Sequence, residues 1–204
     1  MRNLDDIKVS IITYKLLEIK ENIIKLSKKE NELDFSVLIL MYSFIDIMAN
    51  LHKTDEKTPS EVFKSYIENF LSKDNYTSWF GNQDISSEEL WVARSNILHG
   101  LSVYSDRKNT KDIYKILYCN SFPMENNDNS TLKLETREHY DNIYPDGKFK
   151  ILDIQELKYI CIRMVNDFSA HSEEEKKLFI KNSSFFLDSP YGHQLKEALK
   201  ALER

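Results

Sequence analysis

Glycine, proline and cysteine are scarce in this sequence, whose 204 residues include four glycines, four prolines and two cysteines. Glycine and proline interrupt regular structure and form tight turns, so their scarcity argues against many short strands and favours long helices. The two cysteines, Cys119 and Cys161, have neither a metal-ligand spacing nor the pattern of a disulfide framework. We therefore expect reduced thiols in a cytoplasmic protein.

Long uncharged apolar runs and an excess of positive charge are also missing. The most apolar segment, residues 35–51, is slightly short for a membrane span and contains Asp46 and Asn50, which favours a buried core helix. The first residues, MRNLDDIKVS, are charged and lack the apolar region of a signal peptide. The net charge of −5 argues against broad nonspecific binding of nucleic acid but is compatible with a local basic groove.

Motifs for common cofactors are missing as well. The sequence has no P-loop, no Rossmann glycine pattern and no G-x-S-x-G nucleophile motif. Four histidines, His52, His139, His171 and His193, show no ligand spacing to one another. We therefore expect neither a metal ion nor a cofactor.

The overall pattern is typical of one helical domain. Hydrophobic residues make up 41% and charged residues 30% of the chain, which is ordinary for a globular protein. We interpret residues 1–204 as a single domain of mainly α class, a helical bundle with a small β-hairpin or strand insert around 110–152. Core helices occupy 1–105, the strand-and-loop insert spans 106–152, and C-terminal helices follow over 153–204. The strand-like segments are DIYKILYC, TLKLET and GKFKILD.

Two helix starts can be recognised from their capping residues. Ser86 and Glu89 have the S-x-x-E spacing of a capping box. Thr58 directly precedes Pro59, a residue favoured in the first helical position. These signals predict helices that begin near residues 58 and 87.

A polar stripe runs along the apolar helix predicted over 34–51. On a helical wheel, apolar residues point in nearly every direction, whereas Ser43, Asp46 and Asn50 fall within about 60° of one another. A helix that is apolar all round is buried, so this stripe must face other polar groups.

The segment ELWVARSNILHGLSVYS places polar residues in an otherwise apolar helix, predicted over 87–102. The guanidinium of Arg94 keeps its proton and therefore needs an anion, for which Asp46 is the natural candidate. Asn96 and His99 share a helix face that lies about 140° from Arg94 on a straight α-helix. Either the long arginine side chain reaches round the helix, or a second subunit brings the groups together.

The letters RSNILH, followed by glycine, resemble the R-x4-6-H motif of the HEPN superfamily. The preceding core helix with Asp46 is similar to the family's helix with an acidic or polar residue. Many catalytic members carry Asn, Asp or His directly after the arginine, whereas this chain has Ser95 there and Asn96 one place later. The resemblance covers roughly residues 5–105 and extends to about 170 if the later helix closes the bundle.

The resemblance implies a dimeric, metal-independent endoribonuclease, such as a toxin or phage-defence effector, that cleaves RNA by attack of its own 2′-hydroxyl. It implies catalytic roles for Arg94, Asn96 and His99. Supporting residues would be Asp46, Ser95 and Asn50, and substrate contacts would be Tyr104, Arg107 and Lys108. The expected partners are RNA, a second copy of the chain, and an antitoxin or another regulatory protein, without a membrane.

Structural roles remain open for the same residues. Arg94 could be a core ion-pair partner of Asp46, and His99 could be a histidine of the core or of an interface. Tyr104 could simply end a helix, and Arg107 and Lys108 could belong to a solvated charge run. The chain would then be a non-catalytic HEPN-like helical dimer that binds a protein or a nucleotide.

Overall fold

The computed structural model describes residues 4–27, 35–54, 57–72, 85–100, 114–119, 142, 149–168 and 172–183. These residues are mainly helical and include a small two-stranded sheet, which confirms the predicted fold class. The helices are α1 (Leu4–Leu26), α2 (Phe35–Leu51), α3 (Pro59–Ser72), α4 (Ser87–Ser95), α5 (Ile154–Asp167) and α6 (Glu173–Asn182). The strands are β1 (Lys115–Cys119) and β2 (Phe149–Asp153).

Helix α2 lies at the centre of the bundle. It packs against α1, α3, α5 and α6, and nine of its 17 residues are buried. The apolar side chains that α2 buries, such as Leu38, Met41 and Phe44, each stabilise the fold by about 1.5–3 kcal/mol. The interpretation of this segment as a core helix is confirmed. Among the described residues, no helix is both long enough and apolar enough to cross a membrane.

Side chains cap several helix starts. The hydroxyl of Ser86 accepts from the backbone N–H of Glu89, and the glutamate carboxylate accepts from the backbone N–H of Ser86 at 2.7 Å. Thr58 and Glu61 make the same reciprocal pair before α3. Both predicted helix starts are therefore confirmed, and each cap satisfies backbone donors that have no partner inside the helix.

The described strands β1 and β2 pair in parallel, with Lys115 opposite Phe149 and Cys119 opposite Asp153. Parallel neighbours need a long crossover connection, so this pair is a strand insert and not a hairpin. The part FKILD of the predicted strand GKFKILD forms β2, whereas TLKLET lies outside the described residues. Nearly every strand residue is buried, and Asp153 ends the sheet by capping α5.

Candidate functional site

Arg94 of α4 and Asp46 of α2 form an ion pair. The Nε of Arg94 donates a 2.8 Å hydrogen bond to Oδ2 of Asp46, and the Nη2 group donates to the same oxygen. The two side chains are 14% and 20% exposed, so the pair lies at the boundary between the core and solvent. The ion pair predicted from the sequence is therefore present. Hydrogen bonds between two ionised groups are among the stronger ones in proteins.

The ring of Trp91 also packs against the guanidinium of Arg94. Its ring lies 4.7 Å from Cζ of Arg94, within the range of a cation–π contact. The Trp91 ring in turn packs against Phe63 of α3, with the two ring centroids 5.5 Å apart. Sequence reasoning missed this residue, although its position three residues before Arg94 places both on one helix face. Arg94 is thus held by Asp46 of α2 and by Trp91 of its own helix, and α3 supports it only through the contact of Phe63 with Trp91.

The motif helix changes its hydrogen-bonding pattern directly after Arg94. The α-helix ends at Ser95, and Asn96–Gly100 form a π turn. A π turn is closed by hydrogen bonds between residues five apart, so it holds more residues than an α-helical turn and reduces the separation of about 140° expected between positions 94 and 99. The predicted helix is therefore present over Ser87–Gly100 with its last turn in π form, and residues 101–102 lie outside the described residues. Turns of this kind are frequent at functional sites.

The remaining predicted residues near the motif differ in burial. Ser95 is buried, Asn96 is partly buried, and Asn50 is exposed. The amide of Asn50 donates to the backbone oxygen of Asp46 at 2.8 Å, so it supports α2 itself. Among the described residues predicted for the site, the side chains of Arg94 and Asp46 bind each other, and Asn50 contacts the backbone of Asp46.

Several predicted site residues lie partly or wholly outside the described part of the chain. The backbone of His99 belongs to the π turn, but its side chain lies outside what the structure describes. Tyr104, Arg107 and Lys108 lie outside the described residues altogether. Their roles stay predictions.

Glu89 joins the start of the motif helix to the strand insert. Besides its capping contacts, its buried carboxylate accepts from Nζ of Lys150 at 2.8 Å and from the backbone N–H of Tyr114 at 3.3 Å. The ammonium group of Lys150 also lies 4.9 Å from the centroid of the Tyr114 ring. The capping box revealed the local role of Glu89, but no sequence signal indicated its contact with β2.

A buried pair of tyrosines connects α2 to β1. The hydroxyls of Tyr42 and Tyr118 lie 2.8 Å apart, and Tyr42 is one helical turn before Asp46. Burial raises the pKa of both phenols well above 10, so each remains neutral and keeps a proton to donate. This contact holds the central helix, and with it Asp46, against the sheet.

Neither a metal-ligand cluster among the described residues nor a comparison with known proteins indicates the function. Within the described ranges, no group of three or more His, Cys, Asp and Glu side chains is arranged to hold a metal ion. No family model, curated protein or solved structure matches the chain. The function must therefore be inferred from the geometry of the site.

Proposed function

We propose that this chain is a metal-independent endoribonuclease of HEPN type, with Arg94, Asn96 and His99 as its catalytic residues. The observation that carries the proposal is the guanidinium of Arg94, which Asp46 and Trp91 hold at the edge of the core, just before the π turn that contains positions 96 and 99. A permanent cation close to a histidine in the sequence suits chemistry on a phosphodiester.

The proposed reaction uses the nucleophile that RNA carries. The 2′-oxygen forms a bond to the adjacent phosphorus, the bond from phosphorus to the 5′-oxygen breaks, and the products are a 2′,3′-cyclic phosphate and a 5′-hydroxyl. One proton leaves the 2′-hydroxyl and one is given to the departing 5′-oxygen. The imidazole of His99, with an ordinary pKa of about 6.5, serves these transfers near neutral pH. Arg94 stabilises the charge that develops on the phosphate oxygens.

A homodimer completes the proposed site. The π turn reduces the angle around the helix axis between positions 94 and 99. A second copy of the motif across a two-fold axis supplies a second histidine, so that one imidazole accepts a proton and the other donates one. Asp46, Ser95 and Asn50 support the catalytic groups in this proposal. In this proposal Tyr104, Arg107 and Lys108 bind the RNA backbone. The enzyme would be cytoplasmic, and an antitoxin or another regulatory protein would inhibit it.

The test is RNA cleavage by the purified full chain in EDTA. We expect cleavage of mixed RNAs to products that end in a 2′,3′-cyclic phosphate, and we expect His99→Ala to abolish it. Glu88→Gln is the control variant, because Glu88 pairs with Lys64 at the surface and has no role in the proposed site. Full cleavage by a correctly folded His99→Ala protein would contradict the assignment.

A second function is favoured by the ion pair itself. Asp46 neutralises Arg94 without any substrate, as expected in a non-catalytic helical dimer that binds a partner. A folded, dimeric wild-type chain that cleaves no RNA in any tested mixture would favour this second function over the first.

A further inference from the structure

A second site lies where the ends of α2, α3 and α5 meet the start of α6. A cavity of about 580 Å³ opens there between these four helices. Its volume falls in the range of about 300–1,000 Å³ that is usual for pockets that bind small ligands. Among the described residues that line it, none belongs to the proposed ribonuclease site. This cavity therefore needs its own explanation.

Aromatic rings form the floor of this cavity. Phe168 and Phe179 are fully buried and pack against each other, with ring centroids 4.6 Å apart. His52 and Tyr66 are half-buried and line the same cavity, and the centroids of their two rings lie 5.0 Å apart. Tyrosine rings attract cations to their faces because of the negative charge of their π-systems. The accessible part of the floor is therefore suited to a cationic group.

Acidic and polar groups form the rim. Asp167 and Glu175 are exposed carboxylates, and Asn69 adds an amide. Glu175 also accepts the backbone N–H of Ser172 at 2.9 Å as part of a helix cap, so Asp167 is the main anchor for a ligand. Burial raises the pKa of Tyr66, and the negative charge of Asp167 raises it further.

The described lysines in this region line a smaller neighbouring cavity. Within the described part of the chain, no lysine or arginine lines the larger cavity, whereas Lys53 and Lys57 line a smaller one that shares His52, Tyr66 and Asn69 with it. A cationic ligand would be repelled from the smaller cavity and attracted toward Asp167. The described lining of the larger cavity therefore favours a cation over an anion.

We infer that the larger cavity binds a flexible organic cation, an alkylammonium or a guanidinium, with its charge beside Asp167 and the aromatic side chains of the cavity. Two sources share this chemistry: a free polyamine, and a lysine or arginine side chain of a basic peptide. Aromatic rings beneath the cation and a carboxylate at the rim suit both.

The experiment is a calorimetric titration of the full chain at low ionic strength with spermidine and, separately, with a short end-blocked arginine peptide. We expect saturable binding of at least one probe. Asp167→Asn should weaken it roughly tenfold, and Tyr66→Phe, which keeps the ring, should change it by less than about threefold. Lys53→Ala should leave binding unchanged or strengthen it, because it removes a repulsive charge. Binding of spermidine alone indicates a free amine, and binding of the peptide alone indicates a protein partner.

The matched control is Glu88→Gln, which removes one negative charge at the surface of α4, away from the cavity. We expect this variant to bind like the wild type. Equal weakening by Glu88→Gln and Asp167→Asn would reveal diffuse charge attraction and overturn the inference, as would the absence of binding by both probes at millimolar concentration. Because Asp167 is exposed, its substitution leaves the core intact, and a thermal melt of each variant verifies this.

Discussion

Removing the carboxylate of Asp46 should destabilise the protein by about 2–3 kcal/mol, because the cost of breaking an ion pair lies near 3–5 kcal/mol in a core and near 0–1 kcal/mol at a surface. The pair with Arg94 lies between these limits, with side chains 20% and 14% exposed. Asp46→Ala leaves a largely desolvated guanidinium without its anion. For a chain of this size, the loss corresponds to a fall in Tm of roughly 5–10 °C.

The measurement is urea unfolding followed by circular dichroism, with Asp6→Ala as the control. Asp6 also accepts from a lysine, Lys176, at 2.8 Å, but its side chain is 44% exposed and its loss should cost less than about 1 kcal/mol. In a double-mutant cycle, Asp46→Ala should cost much less when Arg94→Met is already present. If Asp46→Ala costs no more than Asp6→Ala, the ion pair does not organise the site and the argument for its position fails.

Three further predictions concern neighbouring side chains. His99→Ala should abolish RNA cleavage and leave Tm within a few degrees of the wild type, and unfolding of this variant would contradict a site-facing role. Trp91→Leu should lower the free energy of unfolding more than Trp91→Phe, because phenylalanine keeps a ring for the Arg94 cation. Urea unfolding measures both variants, and equal losses of stability would argue against the cation–π contact. Stability should fall above about pH 10, because the unfolded chain then releases the protons of Tyr42 and Tyr118 while the folded chain, in which burial raises their pKa, retains them. Tyr42→Phe should flatten that fall in denaturation measured against pH, and an unchanged slope would show that other groups cause it.

The sequence was sufficient for features that depend on local pattern. The capping box of Ser86 and Glu89 depends on residues three apart, and the chain alone reveals such spacing. The pairing of Asp46 with Arg94 could also be predicted, because each is a charged residue on an apolar helix and a buried charge needs its opposite. Both predictions therefore followed from short segments and one general rule.

Features that depend on distant parts of the chain could not be predicted. The π turn at Asn96–Gly100 has the same residue types as an ordinary helix, and packing of this turn against α2 decides which hydrogen bonds form. The parallel pairing of β1 with β2 depends on how the chain between them crosses over, and strand-like composition does not reveal direction. The contact of Lys150 with Glu89 follows from that pairing and was equally hidden.

The double use of Glu89 limits how this chain can be shortened. Its carboxylate caps α4 and at the same time binds the ammonium of Lys150 on β2, so the insert supplies the cation for a buried helix cap. A truncated chain that ends before β1 would keep both residues of the capping box. Its glutamate would nevertheless lose the contact with Lys150 and the burial that the strands provide. The strands therefore stabilise the start of the motif helix, and a fragment that keeps this helix cap intact has to extend at least through β2.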